Sequence, residues 1–370
     1  MKARRIKLLA FVGLVVALAA TATAVGAGKK HHAVSGKISV IAVWTGEEQK
    51  SFEAVLAGFK AANPGVDVSY TSAGDQLPTV LATAVAGGNP PDLAVLPQPG
   101  LLRDFVKKGA LKPITFASAT VKKNFAPVWT TLGSVNGKQY GLVFKAANKS
   151  TVWYNVAAFR NAGVKPPTNG LQLLTVAKTL RASGTKAYSI GGADGWTLTD
   201  LFENIYLRQA GPAKYDQLSA HKIKWTDASV KAALKSMAGI IGDSANIAGG
   251  TSGALQTDFP TSVSQVFATP SKAAMVFEGD FVSGVITSST KAKPGTGFNV
   301  FAFPALGHSG AAVVGGCDTL AMFKDSPAAR ALVNYLATPQ AASIWAHRGG
   351  FSSPNKNVKA SVYPDAITRT

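Results

Sequence analysis

Residues Ile38–Tyr70, ISVIAVWTGEEQKSFEAVLAGFKAANPGVDVSY, decide the fold class. Ile38 to Trp44 is a nearly unbroken β-prone apolar run, as expected of a strand buried on both faces. Gly46-Glu47-Glu48 then opens a helix, in which Phe52, Val55, Leu56 and Phe59 recur at helical spacing and mark one apolar stripe. Asn63-Pro64-Gly65 stops the helix, and Val66, Val68 and Tyr70 alternate as a second strand. Strand, helix and strand in that order form a β-α-β unit, the seed of a parallel sheet.

The pattern continues outward. Leu77–Val85 reads as helix, Leu93–Leu96 as strand, and Leu101–Lys108 as helix after Pro97-Gln98-Pro99-Gly100. Val135–Tyr140 reads as a hairpin centred on Asn136-Gly137. Val143–Tyr154 looks extended, and helices follow near 156–161, 170–183, 197–209 and 229–239. Strands are expected at Ala273–Phe277 and Asn299–Phe303, and helices at Pro327–Leu336 and Gln340–His347. The class is α/β, with a helix-rich second half.

The amino terminus sets the compartment. Lys2, Arg4, Arg5 and Lys7 precede the apolar run Leu8–Ala20. Ala22-Thr23-Ala24 and Val25-Gly26-Ala27 then offer small-residue cleavage sites, the layout of a secretory signal peptide. The rival reading is an uncleaved anchor, because Leu8–Ala27 carries no charge and is long enough to span a bilayer. Both readings place the rest of the chain outside the cytoplasmic membrane. No cysteine follows the apolar run, so an N-terminal lipid anchor is not expected.

Composition excludes several classes. The net charge is +19, of which four charges lie in the leader, and the remaining Lys and Arg are scattered as singles and pairs. With no basic block and no nucleic-acid-binding signature, a solvated basic surface is expected and nucleic acid is not an expected partner. The single Cys317 rules out an internal disulfide and reads as a small buried hydrophobe. No metal-ligand spacing, Walker loop or nucleophile elbow occurs, so neither metal nor cofactor is expected.

Asn63-Pro64-Gly65, Gly87–Leu96 (GGNPPDLAVL), Asn148–Asn155 (NKSTVWYN), Ala273–Asp280 (AAMVFEGD) and Arg348–Val358 (RGGFSSPNKNV) together resemble the extracellular solute-binding proteins of carbohydrate ABC importers, the maltose-binding-like group. The resemblance runs in order from about residue 38 to about 365. It implies a two-lobe periplasmic-binding-protein-like fold with a hinge, a sugar held between the lobes, and delivery to a membrane permease by a monomer. The implied division is signal peptide 1–27, tether 28–37, first lobe 38–147, second lobe 148–314, return to the first lobe 315–347 and a C-terminal segment 348–370. Members of the family usually continue past Asn355-Lys356-Asn357 with further helices, whereas this chain stops at Thr370. The last segment therefore reads as a curtailed second-lobe element, in a shortened member or a truncated product.

Sugars are held by aromatic faces against their C–H surfaces and by carboxylates or amides on their hydroxyls. Trp44, Glu47 and Glu48 supply both at the C-terminal end of the first strand, where α/β folds place ligands. The competing reading is that the two glutamates only complement a helix N-terminus. Gln98 leaves the third strand, while Asn148 and Lys149 lie where the resembled proteins cross between lobes. The resemblance further points to Asp194 and Trp196, to Glu278, Asp280 and Phe281 (where the family often has Trp), and to Asp318 on the second crossing. Trp196 is the favoured single contact, with core packing as its alternative. Glu47 or Glu48 with Glu278 or Asp280 also suits a glycosidase acid/base pair. Carboxylates that simply hold a sugar need the same residues, and a binder is the expected class rather than an enzyme. A sensor presenting sugar to a membrane receptor is the alternative role.

Overall fold

The computed structural model describes residues 34–307 and 312–369, so the leader and most of the tether lie outside the described residues. Strands β1 (Gly36–Ala42), β2 (Val66–Ser72) and β3 (Leu93–Leu96) come first, followed by the short hairpin β4 (Ser134–Val135) and β5 (Lys138–Gln139). Strand β6 (Gly141–Asn148) is separated only by Lys149-Ser150 from β7 (Thr151–Asn155). Then come β8 (Lys186–Tyr188), β9 (Ala273–Phe277), β10 (Phe298–Ala302) and β11 (Gly315–Met322).

Two main sheets result. The first has the order β2-β1-β3-β11-β6, the second β10-β7-β9-β8. As the β-α-β reading predicts, β1 pairs in parallel with β2, Ile38 opposite Val68, and with β3, Ile41 opposite Ala94. Strand β11 runs antiparallel between β3 and β6. In the second sheet β7 is antiparallel to both its neighbours, and β8 pairs in parallel with β9.

Each sheet has its own core. The helix Gly46–Ala62 buries Phe52, Val55, Leu56 and Phe59, the stripe read from spacing, against the first sheet together with Leu332, Trp345 and Phe351. Tyr188, Ile205, Tyr206, Met275 and Phe277 centre the second core. Burying large apolar side chains contributes roughly 1.5–3 kcal/mol each, so either core is a substantial unit. The C-terminal segment lies against both: Phe351, Val358 and Tyr363 pack on the first core, and Ile367 reaches the group around Val282 and Ile286.

Local chemistry sets the joints. Asn136 and Gly137 both adopt positive φ, 50° and 73°, as a two-residue hairpin requires. Asn155 and Asn169 cap the helices Val156–Asn161 and Gly170–Ala182 by accepting from backbone N–H groups three residues on. The run expected to be extended over 143–154 divides at Lys149-Ser150, where the chain leaves the first sheet for the second. Among the described residues no helix is long and apolar enough to cross a membrane.

Candidate functional site between the two sheets

The loop leaving β1 turns its aromatic inward. Trp44 is 1% exposed and packs edge-on to Trp345, with ring centroids 4.6 Å apart, and against Phe52. Its Nε1–H donates to Asp318 Oδ2 at 2.7 Å. Trp44 is therefore packed within the first core. The reason is that the chain bends at the strand end, and the indole fills the space between the first sheet and the helix Pro339–Arg348. Glu47 and Glu48 begin the helix Gly46–Ala62, where negative charge is favoured. Glu47 pairs with Lys50 on the surface, whereas Glu48 reaches inward to Lys145.

Lys145, on β6, joins this network although no sequence motif marks it. Its side chain is 6% exposed and its Nζ donates to Glu48, with Asp318 Oδ2 at 4.0 Å. Burial by itself works to deprotonate this lysine. The carboxylates of Glu48 and Asp318 more than reverse that, so its pKa is raised. Asp318 is shifted upward by burial, against the pull of Lys145 and the Trp44 hydrogen bond. Asp318 thus serves the interior ion network rather than facing open space.

A second buried network lies at the crossing. Lys149 Nζ holds Asp200 at 2.8–2.9 Å, and its ammonium lies 5.8 Å from the Trp196 ring centre. Glu278, at the exit of β9, is 2% exposed, and neither of its carboxyl oxygens has a hydrogen-bond partner of good geometry. Burial, and then the neighbouring Asp200 carboxylate, push its pKa well above the usual range, against Lys149. An uncompensated buried carboxylate takes up a proton sooner than it stays charged. Glu278 is accordingly a buried acid whose neutral form is favoured, and it is not among the residues that line the cavity. Nearby, Asp280 Oδ2 accepts from Ser352 Oγ and from the Asn148 N–H, while the Asp280 N–H donates to the Asn148 carbonyl. Asp280 and Asn148 together pin the first crossing to the C-terminal segment. The Asn148 side chain itself caps Ser150 N–H at 3.0 Å.

The second half contributes an aromatic surface. Gly195, with φ 76°, starts the helix Trp196–Ala210 and sets Trp196 at its first position. Trp196, Phe259 and Phe281 pack in a triangle with centroid separations of 5.1, 5.4 and 6.1 Å. The Trp196 Nε1 is buried without a hydrogen bond of good geometry. Its indole still counts among the groups around Asp75, whose pKa burial raises first and Asp194 next, with Trp196 opposing. Asp75 follows β2 and Asp194 precedes Trp196, so carboxylates from the two halves face one another here. Asp194 is itself exposed, as is Gln98 at the start of the helix Pro99–Lys107.

A cavity of about 440 Å³ runs between these elements. From the first half Thr45, Glu47, Glu48, Ser51, Trp345 and Arg348 line it; from the second, Phe259, Pro260 and the Gly284–Ser289 turns of the helix Val282–Ser289. Arg348 Nε donates to Ser51 Oγ at 2.9 Å, which holds the guanidinium at the cavity wall. Of the predicted residues, Glu47 and Glu48 line this cavity. Trp196 and Phe281 adjoin it through Phe259, and Gln98 and Asn148 lie away from its lining. Sequence reading missed Lys145, Asp200, Arg348, Phe259 and Ser352. Of these, Arg348 and Ser352 lie inside the quoted RGGFSSPNKNV run, which is the signal that could have found them.

Two separately cored sheets, joined by crossing segments and sharing a polar cavity with aromatic borders, define a two-lobe binding protein. The chain belongs to the bacterial extracellular solute-binding protein family, whose model matches residues 44–343. It is 32% identical over 363 residues to the osmoprotective compounds-binding protein GgtB of Synechocystis sp., covering 96% of this chain and 85% of that one. It is also 32% identical over 355 residues to the alpha-glucosides-binding periplasmic protein AglE of Rhizobium meliloti, covering 90% and 76%. Among solved structures, one from work on xylan utilization by Caldanaerobius polysaccharolyticus superposes with a TM-score of 0.80 at 20% identity, covering 90% of this chain and 86% of that one. That likeness concerns the fold.

Proposed function

We propose that this protein is the extracytoplasmic substrate-binding component of an ABC importer, capturing a sugar or small oligosaccharide between its lobes and delivering it to membrane permease subunits. The observation that carries the reading is the cavity lined from both halves, with carboxylates, hydroxyls and a guanidinium beside aromatic rings. Its volume of about 440 Å³ lies in the range of small-molecule sites. Relatives named for binding alpha-glucosides and osmoprotective compounds support a hydroxyl-rich ligand. A division into one lobe of 38–147 with 315–347 and another of 148–314 is supported by the two sheets, with Asn148 as the last residue of β6 in the first.

The protein binds without turnover. What supports this is that Glu47 and Glu48 line the cavity, whereas Glu278 is buried and neither it nor Asp280 is among the lining residues. It works as an exported monomer, not anchored through an N-terminal cysteine; Cys317 lies buried on β11. N-terminal sequencing of protein recovered outside the cytoplasm is expected to begin between residues 23 and 30; an intact Met1 in membranes would instead show an anchor.

Thermal unfolding against a panel of mono-, di- and oligosaccharides tests the proposal, because a ligand bound only by the folded state raises the midpoint by RT ln(1 + [L]/Kd). A midpoint raised by one sugar class is expected. Release of reducing sugar on incubation would show an enzyme instead. Uptake retained in a deletion strain that has lost its sugar response would show a sensor.

A further inference from the structure

Lys145 ends between two aromatic rings, one from each half of the molecule. Its ammonium is 5.7 Å from the ring centre of Trp345, in the first core, and 5.3 Å from that of Phe281, which packs with the second. We propose that Lys145 is an interlobe latch: Glu48 and Asp318 anchor its charge in the first lobe, and the Phe281 ring caps it from the second when the lobes meet. The proposal rests on the two-lobe binding reading, but it concerns closure rather than the ligand.

The physical case is one of desolvation. A lysine with 6% of its side chain exposed has given up nearly all its water. Removing water from an ammonium is unfavourable unless other groups replace it. Glu48, through a direct bond, and Asp318, at 4.0 Å, do so from the first lobe. Asp280 adds a field from the far side of the crossing. The remaining face of the ammonium meets Phe281, whose ring presents negative quadrupole density to a cation. An apolar side chain of the same size would cover Lys145 without replacing the lost hydration. Phe281 is thereby set to close on Lys145 in particular.

Phe281 is held for this purpose from behind. Phe259 and Trp196 pack on it at 5.4 and 6.1 Å, and Gly279 leaves room for its ring, since a Cβ there would stand 2.4 Å from Phe281 Cε1. Any side chain at 279 would drive the ring off its present position. The contact therefore depends on residues of both lobes and on the tight turn between β9 and the helix Val282–Ser289.

The test reads lobe separation without sugar. Spin labels at Ala57→Cys and Lys178→Cys, exposed positions on the helices Gly46–Ala62 and Gly170–Ala182, give the interlobe distance by pulsed electron resonance; Cys317 is buried and stays unlabelled. Phe281→Leu keeps an apolar cap and removes the ring. It is expected to lower the closed-to-open ratio by about thirtyfold, the scale of a desolvated cation–π contact. Phe281→Trp, the better cation–π ring, is expected to hold that ratio at or above the wild-type value. Adding Phe281→Leu to Lys145→Met is expected to change nothing beyond Lys145→Met alone. A wholly open wild type, an unchanged distribution in Phe281→Leu, or fully additive substitutions would overturn the latch. If Lys145→Met fails to fold, the two Phe281 variants still decide the matter. Failure of every sugar to bind the wild type would overturn the functional reading and leave these distances unaffected.

Discussion

The indole N–H of Trp44 donates to Asp318 Oδ2 at 2.7 Å, joining residues 274 positions apart in the chain. This bond ties the loop after β1 to the strand that returns from the second lobe. It also holds Asp318 beside Lys145, so one aromatic residue positions the first-lobe half of the interior ion network.

Trp44→Phe retains most of the packing against Trp345 and Phe52 but deletes the donor. A lost hydrogen bond to a charged group is expected to cost about 1.5–3 kcal/mol of stability. Urea unfolding should show a lower midpoint with an unchanged slope. A midpoint within error of the wild type would mean that Asp318 is satisfied without Trp44.

Glu278 makes stability depend on pH. Its folded pKa is raised by burial and by Asp200, so the folded state holds a proton that the unfolded chain releases near pH 4.3. The contribution of the protonated carboxyl is complete below that pH. It is lost as pH rises through the folded pKa. Glu278→Gln mimics the neutral acid at all pH values. Its melting temperature is expected to match the wild type near pH 4 and to exceed it increasingly toward pH 8. A constant difference across that range would mean that Glu278 is not a neutral interior acid.

Trp196 separates a cleft role from a core role. Removing an aromatic anchor from a binding site is expected to weaken affinity by on the order of 2 kcal/mol, about thirtyfold. Because the ring is only half-buried beside Phe259 and Phe281, Trp196→Ala should cost less stability than the roughly 3–5 kcal/mol of a fully buried aromatic. Titration calorimetry beside a denaturation curve measures both. A folded variant with wild-type affinity would remove Trp196 from the site.

The fold was largely legible because period and punctuation agree over long segments. The stripe Phe52, Val55, Leu56 and Phe59, and the stop at Asn63-Pro64-Gly65, placed a helix that ends at Ala62. Strand β8 escaped because it is three residues long, too short for any alternation to register. The site was less legible. An aromatic at a strand end reads alike whether it turns outward or inward, and what turns Trp44 inward is Trp345 and Asp318, hundreds of residues away. Lys145 sits in a strand whose flanking residues are apolar, and its partner Glu48 is 97 positions earlier. Nothing local marks Glu278 as an interior acid, since the exit of a buried strand is equally the usual place for a ligand contact. Pairings of this kind exist only after the two sheets have come together.

The most direct measurement is isothermal titration of the exported protein with neutral mono-, di- and trisaccharides, among them alpha-glucosides. Saturable one-to-one binding of at least one sugar, weakened in Trp196→Ala, is the predicted result. No binding heat for any sugar across temperatures, or binding that Trp196→Ala and Glu47→Ala both leave unchanged, would contradict a carbohydrate site between the lobes.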